Sequence, residues 1–468
     1  MTVQDETITA DAASLVDGAV AATQACDLML NMLDGGLDHP ELWPLIPSLV
    51  SENPLIADEL RGREARETHH TIRIRLQVLL ALCLEDAEAT LAVLRPLTIH
   101  HSQNVQVQGA AFHAEARIDP ENPKFALNGK VCLVPFTQLD VLENTTHLCC
   151  ASWLPTSAGN LTYAPSETVW NGQRAQAIRE SVLDGSYRHC NKRACPVIQS
   201  NDLKKTEDLV AQPKWHDILT SRQTAMPRGP ETVNLAYDRT CNLSCPSCRT
   251  ARYAADDATR ARYQDMQDNR ILPLLKNARY VHITGSGDPF ASKNFRRLME
   301  QLDADDYPDL KFIVMTNGML FTPQQWAAFP SLHGRVASLR ISLDAATGPT
   351  HELLRRGAKW SVMQENLKFA GELRAAGLVS HFTIPFTVQA ENYREMGDAV
   401  DLAHEIGADH VFFARMTNWG TFSAEEYARK AVFVPGHPEY DDFVQSCRDP
   451  RLRDPIVQPC DLSEFFHA

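Results

Sequence analysis

Apolar runs separated by helix-like segments dominate the second half of the chain. From about residue 230, short apolar runs predict strands, and the longer stretches between them, with apolar residues three and four positions apart, predict helices. The predicted strands are at 233–238, 280–284, 311–316, 336–343, 381–389 and 409–415, and the predicted helices are at about 252–276, 292–303, 323–329, 361–376 and 393–406. Strands that alternate with helices are usually parallel, so we predict an α/β barrel, partial or full, or an open doubly wound sheet. Functional residues should lie at the carboxyl ends of these strands.

The first 118 residues have a helical pattern instead. One apolar helix face is formed by residues at helical spacing, namely Ile72, Leu76, Leu79, Leu80 and Cys83. We predict an all-α domain at 1–118 that acts as a scaffold or as a docking domain, because no cofactor motif is visible there. The histidine pairs at 69–70 and 100–101 could be metal ligands, but exposed polar histidines are the simpler interpretation.

A turn-rich break at 119–123 separates this helical part from a segment that contains several cysteines. Two apolar runs around the Glu143–Asn144 turn predict a hairpin. Cys132 opens its first strand and Cys149 closes its second. We predict a small α+β domain at 124–200.

A second pair of cysteines follows a predicted helix in the same segment. The helix ends at Asp184–Gly185, which is typical of a C-cap, and Cys190 and Cys195 come directly after it. Four thiolates that converge from a hairpin and a helix end would hold a closed iron–sulfur cluster, and a zinc ribbon is the alternative.

Three more cysteines lie in the loop that follows the first strand of the α/β part. Cys241, Cys245 and Cys248 have the spacing C-x3-C-x2-C. Three thiolates can bind three irons of a 4Fe–4S cluster and leave the fourth iron open for a ligand. A structural zinc site would need a fourth protein ligand, and this loop contains none.

The C-x3-C-x2-C loop after the first strand resembles the signature of the radical S-adenosylmethionine (SAM) superfamily. The resemblance implies a partial (β/α)6 barrel at 228–416, in which the open iron of a 4Fe–4S cluster binds SAM. It also implies cleavage of SAM to a 5′-deoxyadenosyl radical that abstracts a hydrogen atom from the substrate. Many family members have an aromatic residue before the last cysteine, where this chain has Ser247.

The same resemblance implies further SAM-binding residues at later strand ends. A Gly-Gly-Glu-Pro motif that receives the SAM ammonium in the family is replaced here by Gly285, Ser286, Gly287 and Asp288. Ser342 and Asp344 resemble the family's ribose-contacting Ser-x-Asp. Thr316 and Asn317 would line the same mouth of the barrel, and Arg415 would meet the SAM carboxylate or form a surface salt bridge. No acid–base residue for catalysis can be identified.

The cysteine-rich segment resembles a SPASM or "twitch" auxiliary-cluster domain. The resemblance rests on the Gly159–Leu161 turn, the Val169–Asn171 block and the 181–187 run before Cys-x4-Cys-Pro. It implies a second 4Fe–4S cluster bound by Cys132, Cys149, Cys190 and Cys195. This domain precedes the barrel here, whereas in the family it usually follows. The spacing from Asn144 favours Cys149 over the adjacent Cys150 as ligand.

The overall composition and charge of the chain argue against several classes of protein. The chain has 468 residues and a net charge of −14, which argues against a nucleic-acid-binding protein. No apolar run is long enough for a membrane span, and the acidic N-terminus does not resemble a signal peptide, so we expect a cytoplasmic protein. Twelve cysteines are then unlikely to form disulfides. The isolated ones are more simply interpreted as small buried apolar residues: Cys26, Cys83, Cys447 and Cys460.

We therefore predict a radical SAM enzyme that modifies a peptide by oxidation, cross-linking or epimerisation. The alternative substrate is a small metabolite such as a sugar or an amino alcohol. A hypothesis of another class is a non-catalytic iron–sulfur or zinc protein. The enzyme would need an electron donor of the flavodoxin or ferredoxin type. The Pro-rich, aromatic segment 417–468 is expected to wrap the barrel.

Overall fold

The computed structural model describes residues 18–283 and 286–466. Their contacts divide them into two compact units. Unit 1 contains residues 18–136, 147–158 and 171–226. Unit 2 contains residues 137–146, 159–170 and 227–466, without the two residues 284 and 285. The chain therefore passes between the units several times.

Unit 1 begins with six helices around an apolar core. They are α1 (Gly18–Met32), α2 (Leu45–Glu52), α3 (Leu55–Arg66), α4 (His70–Leu82), α5 (Ala87–His100) and α6 (Val105–Ile118). In α4, Leu76 and Leu79 are buried in this core, and Ile72, Leu80 and Cys83 pack against it. The predicted helical character is confirmed for residues 18–118, and residues 1–17 lie outside the described residues.

The rest of unit 1 has short elements. Strand β1 (Lys130–Val131) pairs antiparallel with β4 (Lys204–Lys205). The helices are α7 (Val134–Thr137), α9 (Gln173–Leu183), α10 (Pro196–Gln199), α11 (Thr206–Val210) and α12 (Pro213–Thr220), and α8 (Ser166–Asn171) lies mostly in unit 2. Helix α9 ends at Asp184, followed by Gly185 with φ +78°, so the predicted C-cap is observed.

Unit 2 is built on a parallel sheet. Its strands are β2 (Gln138–Leu142), β5 (Thr232–Ala236), β6 (Tyr280–Ile283), β7 (Lys311–Thr316), β8 (Val336–Ile341), β9 (Phe382–Val388), β10 (His410–Arg415) and β11 (Val457–Gln458). Their order in the sheet is β11-β10-β9-β8-β7-β6-β5-β2, with the short β3 (Thr146–His147) beyond β2. The predicted α/β class and the six predicted strands, β5 to β10, are confirmed. All six have their carboxyl ends at one edge because neighbouring strands are parallel.

Helices connect these strands. They are α13 (Asp257–Met266), α14 (Leu272–Leu275), α15 (Lys293–Gln301), α16 (Pro323–Ala327), α17 (Gly348–Leu354), α18 (Trp360–Ala375), α19 (Met396–Glu405), α20 (Ala424–Lys430), α21 (Tyr440–Ser446) and α22 (Ser463–Phe466). The predicted helix 252–276 is interrupted by a π-helical turn at Gln267–Ile271. Pro273, two residues after this turn, has no N–H to continue the α-helical hydrogen bonds.

Strands β2 and β3 flank the Glu143–Asn144 turn and are neighbours in the sheet, as the predicted hairpin requires, but two features differ from the prediction. No strand contains Cys132, and β2 begins after helix α7. Strand β2 pairs in parallel with β5, with Leu139 opposite Val233. Its middle residues Leu139, Asp140 and Val141 are buried, as is typical of a strand inside a parallel sheet. Part of the segment 124–200 therefore belongs to unit 2, which the apolar pattern alone did not reveal.

Among the described residues, no helix combines the length and the apolar character that crossing a membrane requires.

Candidate functional site: three cysteines at the carboxyl edge of the sheet

The loop after β5 brings the three cysteines of the C-x3-C-x2-C motif into one small cluster. Cys245 packs against Leu243 and Ala358, and Cys241 and Cys248 pack against this group. The carbonyl of Cys245 accepts hydrogen bonds of 2.9 Å from the backbone N–H of Cys248 and of Arg249, which forms a tight turn. The backbone of Cys241 pairs with Tyr253, which closes the base of the loop.

Each of the three thiols has a nearby N–H donor. The side-chain amide of Asn317 and the backbone N–H of Leu243 each lie 3.5 Å from Sγ of Cys241. The guanidinium of Arg249 lies 3.4 Å from Sγ of Cys248, and that of Arg355 lies 4.0 Å from Sγ of Cys245. Donors and positive charges of this kind stabilise thiolates.

Burial opposes ionisation of these thiols. It raises the pKa of Cys241 and of Cys245, although Arg355 lowers the pKa of Cys245. The thiolates therefore need additional positive charge, and bound iron would supply it. Three soft thiol ligands with N–H donors around them fit an iron–sulfur cluster. Within residues 18–283 and 286–466, no group of three or more Cys, His, Asp or Glu side chains is already spaced for a bare metal ion.

Asp288 has a supporting position rather than the open one that the sequence indicated. It is fully buried, and its Oδ2 accepts hydrogen bonds from Thr316 Oγ1 at 2.7 Å and from the Asn317 N–H at 2.9 Å. Its Oδ1 accepts from the N–H groups of Phe290 and Ala291. The carboxylate thus joins the end of β7 to the loop after β6. The sequence-based role as acceptor for the SAM ammonium is not supported by this geometry, because both oxygens have protein donors.

The glycine-rich loop before Asp288 lies close to the backbone that precedes the cysteines. A Cβ atom on Gly287 would lie 2.5 Å from the carbonyl oxygen of Asp238 and 2.6 Å from that of Thr240. The hydroxyl of Ser286 donates to the Ala236 carbonyl at 2.5 Å. Glycine at 287 is therefore required by a close backbone approach. Gly285 lies outside the described residues.

The Ser-x-Asp motif follows β8. Asp344 is buried and has φ +62°, a conformation that Asp adopts more readily than most residues. Its Oδ2 forms an ion pair of 2.7 Å with Arg355, and its Oδ1 accepts from the Thr387 N–H. Ser342 is half-buried, and its N–H donates to the Thr316 carbonyl. Arg355 therefore connects this motif to Cys245.

Residues 238–416 match the family model described as Radical SAM superfamily. The chain carries a radical SAM domain. The match covers about two fifths of the chain, begins three residues before Cys241 and ends directly after β10. It confirms the predicted radical SAM domain and, with it, the prediction of an enzyme. A domain of this family implies a 4Fe–4S cluster and SAM as cofactors.

Several solved structures show a distant likeness to the chain. Streptococcus suis SuiB bound to S-adenosylmethionine is 17% identical over 47% of this chain and 45% of that chain, with a TM-score of 0.30. A native anSMEcpe structure with bound AdoMet and the Kp18Cys peptide is 20% identical over 40% of this chain and 51% of that chain, also with a TM-score of 0.30. The chain spans about half the length of these structures. No curated protein matches the chain.

Arg415 lies at the end of the radical SAM domain and contacts the C-terminal segment. It forms an ion pair with Glu464, and its guanidinium lies over the rings of Phe433 and Phe465 at 5.6 Å and 5.3 Å. Of the two sequence-based interpretations, the salt bridge is the one observed. No contact with a predicted SAM-binding residue is found for Arg415 within the described parts of the chain.

Two arginines near the cysteines of the radical SAM domain were missed by sequence reasoning. Arg249 is buried and, besides its contact with Cys248, donates to the carbonyls of Arg239 and Ser286. It directly follows the last cysteine, which is a signal that could have been used. Arg355 lies more than one hundred residues from the motif in sequence, and no local pattern indicates it.

A second group of cysteines lies in unit 1. The N–H of Asn191 donates to the Trp153 carbonyl at 2.8 Å, and the hydroxyl of Tyr187 donates to the Lys130 carbonyl at 2.8 Å. These two contacts join three segments, each of which contains cysteines. The cysteines concerned are Cys132, the pair Cys149 and Cys150, Cys190 and Cys195.

Electrostatic interactions indicate which of these thiols lie close together. Burial raises the pKa of Cys132 to about 11, and Cys195 adds to this shift. The pKa of Cys190 is raised by burial and then by Cys132 and Cys195. Burial also raises the pKa of Cys195, and the cysteine that adds to its shift is Cys150. Cys150 is therefore close to Cys195, and the sequence spacing from Asn144 favoured the adjacent Cys149 as ligand.

Proposed function

We propose that the protein is a radical SAM enzyme that uses SAM to abstract a hydrogen atom from its substrate. The observation that carries the proposal is the cluster of three cysteine thiols with N–H donors at the carboxyl edge of the sheet, within the matched domain. When bound, the 4Fe–4S cluster and SAM supply the chemistry: one electron reductively cleaves SAM to methionine and a 5′-deoxyadenosyl radical.

The protein's own residues hold and orient these groups. Cys241, Cys245 and Cys248 are the cluster ligands in this proposal. Arg249 and Arg355 provide positive charge beside two of the thiols, which favours their ionised form.

Other residues define the edge of the sheet where SAM would lie. Ser286, Gly287, Thr316, Asn317 and Ser342 come at the ends of β6, β7 and β8. Asp288 and Asp344 lie at the same edge, but their carboxylates already have partners within the protein, Thr316 for Asp288 and Arg355 for Asp344. We propose that these two carboxylates position the loops and do not contact SAM.

We propose a second cluster in unit 1, bound by Cys132, Cys190, Cys195 and one of Cys149 and Cys150. The mutual effects of these thiols on their pKa values support it. A closed four-thiolate cluster would transfer electrons rather than bind substrate.

We propose a peptide as the substrate, because the cysteine-rich segment resembles the auxiliary-cluster domain of peptide-modifying enzymes. The small-metabolite alternative is favoured by a different observation, the limited volume of a cavity in the sheet of unit 2, about 350 Å³. A reduced flavodoxin or ferredoxin would supply the electron, as expected for a cytoplasmic enzyme.

Anaerobic reconstitution of the full-length chain tests the proposal. Iron and sulfide are quantified, and 5′-deoxyadenosine is measured after addition of dithionite and SAM. We expect about eight irons per chain, as two 4Fe–4S clusters require, and formation of 5′-deoxyadenosine. The matched control replaces Cys241, Cys245 and Cys248 together by alanine. It should abolish SAM cleavage and leave about four irons bound.

Two results would change the proposal. If wild-type protein binds about four irons and cleaves SAM, the second cluster is absent and the enzyme remains. If it binds zinc and cleaves no SAM, the protein belongs to the non-catalytic class.

A further inference from the structure

The sheet of unit 2 has two different faces. One face of β6 to β10 is apolar and fully buried, with residues such as Val314, Leu339 and Phe386. The opposite face is only half-buried and contains polar side chains. Paired residues of neighbouring strands share a face, so the register identifies them.

The register places one arginine in the middle of this half-buried face. Arg340 of β8 is opposite Met315 of β7 on one side and Thr383 of β9 on the other, and Thr383 is opposite His410 of β10. Ser342 follows Arg340 by two residues, so the two positions are about 7 Å apart along the chain direction. Arg340 is therefore one pleat below the residue predicted to contact the SAM ribose.

Arg340 has no partner for its charge among residues 18–283 and 286–466. No hydrogen bond, ion pair or ring contact involves its guanidinium there, and burial alone lowers its pKa. Other arginines of the domain behave differently: Arg355, Arg374 and Arg249 all have acceptors. A half-buried guanidinium without an acceptor costs free energy, because the hydrogen bonds to water that it loses are not replaced by hydrogen bonds within the protein.

Two histidines near Arg340 also have unused hydrogen-bonding atoms. Nε2 of His282 and Nδ1 of His410 are buried and have no hydrogen-bond partner within the described chain. Burial lowers the pKa of His282 to about 4, and the charge of Arg340 contributes to the shift. His282 is therefore neutral at pH 7 and close enough to respond to Arg340.

Arg340 borders a cavity of about 350 Å³. The cavity is also lined by Met315, Thr383, His410 and Phe412. The lining also contains polar side chains, among them Ser338, His381 and Gln458, and Arg340 is the one permanently charged group among the described lining residues. Concave sites in which polar groups and a charged residue stand among apolar ones are typical of small-molecule or side-chain binding. The space is sufficient for one amino-acid side chain or a small metabolite.

We propose that Arg340 binds a carboxylate of the substrate inside this cavity. The planar guanidinium presents two parallel N–H groups that match the two oxygens of a carboxylate. A single positive charge beside a neutral His282 suits a monoanion better than a doubly charged phosphate. Nδ1 of His410, which lines the cavity, provides an additional polar contact. The proposal deepens the proposed function by naming the substrate class, and it rests on that function for the identity of the reaction.

Binding of small probes to the reconstituted full-length protein tests the proposal. Saturation-transfer NMR is recorded with butyrate, with the neutral isostere butyramide and with inorganic phosphate. We expect butyrate to bind more tightly than butyramide and phosphate. Arg340→Gln should weaken butyrate binding by about tenfold or more, as expected for loss of a charge-assisted hydrogen bond.

Two further variants distinguish a specific loss of butyrate binding from a general loss of folding. Arg340→Lys retains the charge without the planar fork and should give intermediate affinity. Arg262→Gln removes one positive charge from an exposed position on α13 and should leave butyrate binding unchanged. Equal butyrate affinity in wild type and Arg340→Gln, or tighter binding of phosphate, overturns the proposal.

The source of the carboxylate is distinguished by a peptide probe, N-acetyl-Ala-Glu-amide. If it binds in an Arg340-dependent way, a peptide side chain is the source, and if only butyrate does so, a metabolite is. SAM cleavage without substrate is measured on the same samples. SAM cleavage without butyrate binding refutes the carboxylate site alone, whereas butyrate binding without SAM cleavage refutes the proposed function alone.

Discussion

Arg355 forms a buried ion pair of 2.7 Å with Asp344, and both side chains are more than four-fifths buried. The same guanidinium lies 4.0 Å from Sγ of Cys245. The turn after β8 and the cysteine loop after β5 therefore share one cation, so that a change at either place is transmitted to the other.

Removal of this shared cation should destabilise both loops. Arg355→Met leaves Asp344 buried without a counter-charge, which costs about 3–5 kcal/mol of unfolding free energy. We also expect lower iron content after reconstitution, because Cys245 loses its positive neighbour. Urea unfolding and iron analysis measure the two effects. The double variant Arg355→Met with Asp344→Asn should recover much of the stability, and a double variant as unstable as the single one would contradict the ion-pair explanation.

The close approach at Gly287 predicts a strong effect of a single methyl group. In Gly287→Ala the new Cβ would meet the backbone oxygens of Asp238 and Thr240, so the loop must shift. We expect a loss of about 1–3 kcal/mol of stability, as for other overpacked sites, together with weaker SAM binding. The control is Gly229→Ala, where the nearest atom to the Cβ lies at 3.7 Å. Equal stability of Gly287→Ala and Gly229→Ala would contradict the prediction, because the loop would then move to accommodate the methyl group at little cost in free energy.

His282 should make stability depend on pH. Its pKa is about 4 in the folded chain and near 6.5 when unfolded, so the unfolded chain binds more protons between these values. Stability from this group is present above pH 6.5 and decreases as the pH falls towards 4. Between pH 7 and 5 the expected loss is about 2 kcal/mol.

The variant His282→Gln removes this contribution and isolates it from other titrating groups. The difference in unfolding free energy between wild type and His282→Gln should change by about 2 kcal/mol from pH 7 to pH 5. His69→Gln, at an exposed position of unit 1, serves as the control and should show no such change. A direct NMR titration of His282 with an apparent pKa above 6 would refute the prediction.

The two adjacent cysteines 149 and 150 should differ in their effect on the second cluster. Because Cys150 interacts electrostatically with Cys195, Cys150→Ala should lose about four irons per chain. Cys149→Ala tests the alternative ligand that the spacing from Asn144 favours. Iron analysis and the visible spectrum of the reconstituted variants decide between the two residues, and the reverse result would support the spacing from Asn144.

Arg415 should stabilise the C-terminal segment rather than bind SAM. Arg415→Gln removes its contacts with Glu464 and Phe465, which together contribute about 1 kcal/mol. Hydrogen exchange should increase in residues 457–466, and SAM affinity should stay the same. Arg429→Gln, an exposed change nearby, is the control. A tenfold loss of SAM affinity with unchanged exchange would restore the SAM-carboxylate role.

Strand and helix periodicity was sufficient to predict the sheet from β5 to β10. In a strand such as Phe382–Val388, buried apolar residues alternate with half-buried ones, and this period of two identifies a strand locally. The pairing of β2 with β5 was missed because β5 lies far away in sequence, and a five-residue run does not identify its neighbour. The helix at Gly348–Leu354 was missed because its polar composition lacks an apolar face.

Residue types in the candidate site were easier to predict than their roles. The cysteine spacing is local, and the structure brings Cys241, Cys245 and Cys248 together. Asp288 was expected to face a ligand, but four protein donors surround it, which no sequence motif records. The surroundings of Arg355 and Arg340 are set by residues distant in sequence. Only the folded chain shows that Arg355 forms an ion pair with Asp344 and that Arg340 is half-buried without such a partner among the described residues.

The parallel pairing of β2 with β5 also bears on synthesis of the chain. β2 leaves the ribosome more than ninety residues before the strand that it pairs with, and residues 171–226 of unit 1 are made in between. Until β5 appears, β2 can pair only with the two-residue strand β3, and its other edge has no partner strand. Exposed strand edges of this kind are prone to aggregate. Expression of residues 1–226 alone would leave β2 in this state permanently. A shortened protein that is to keep this pairing must contain both β2 and β5.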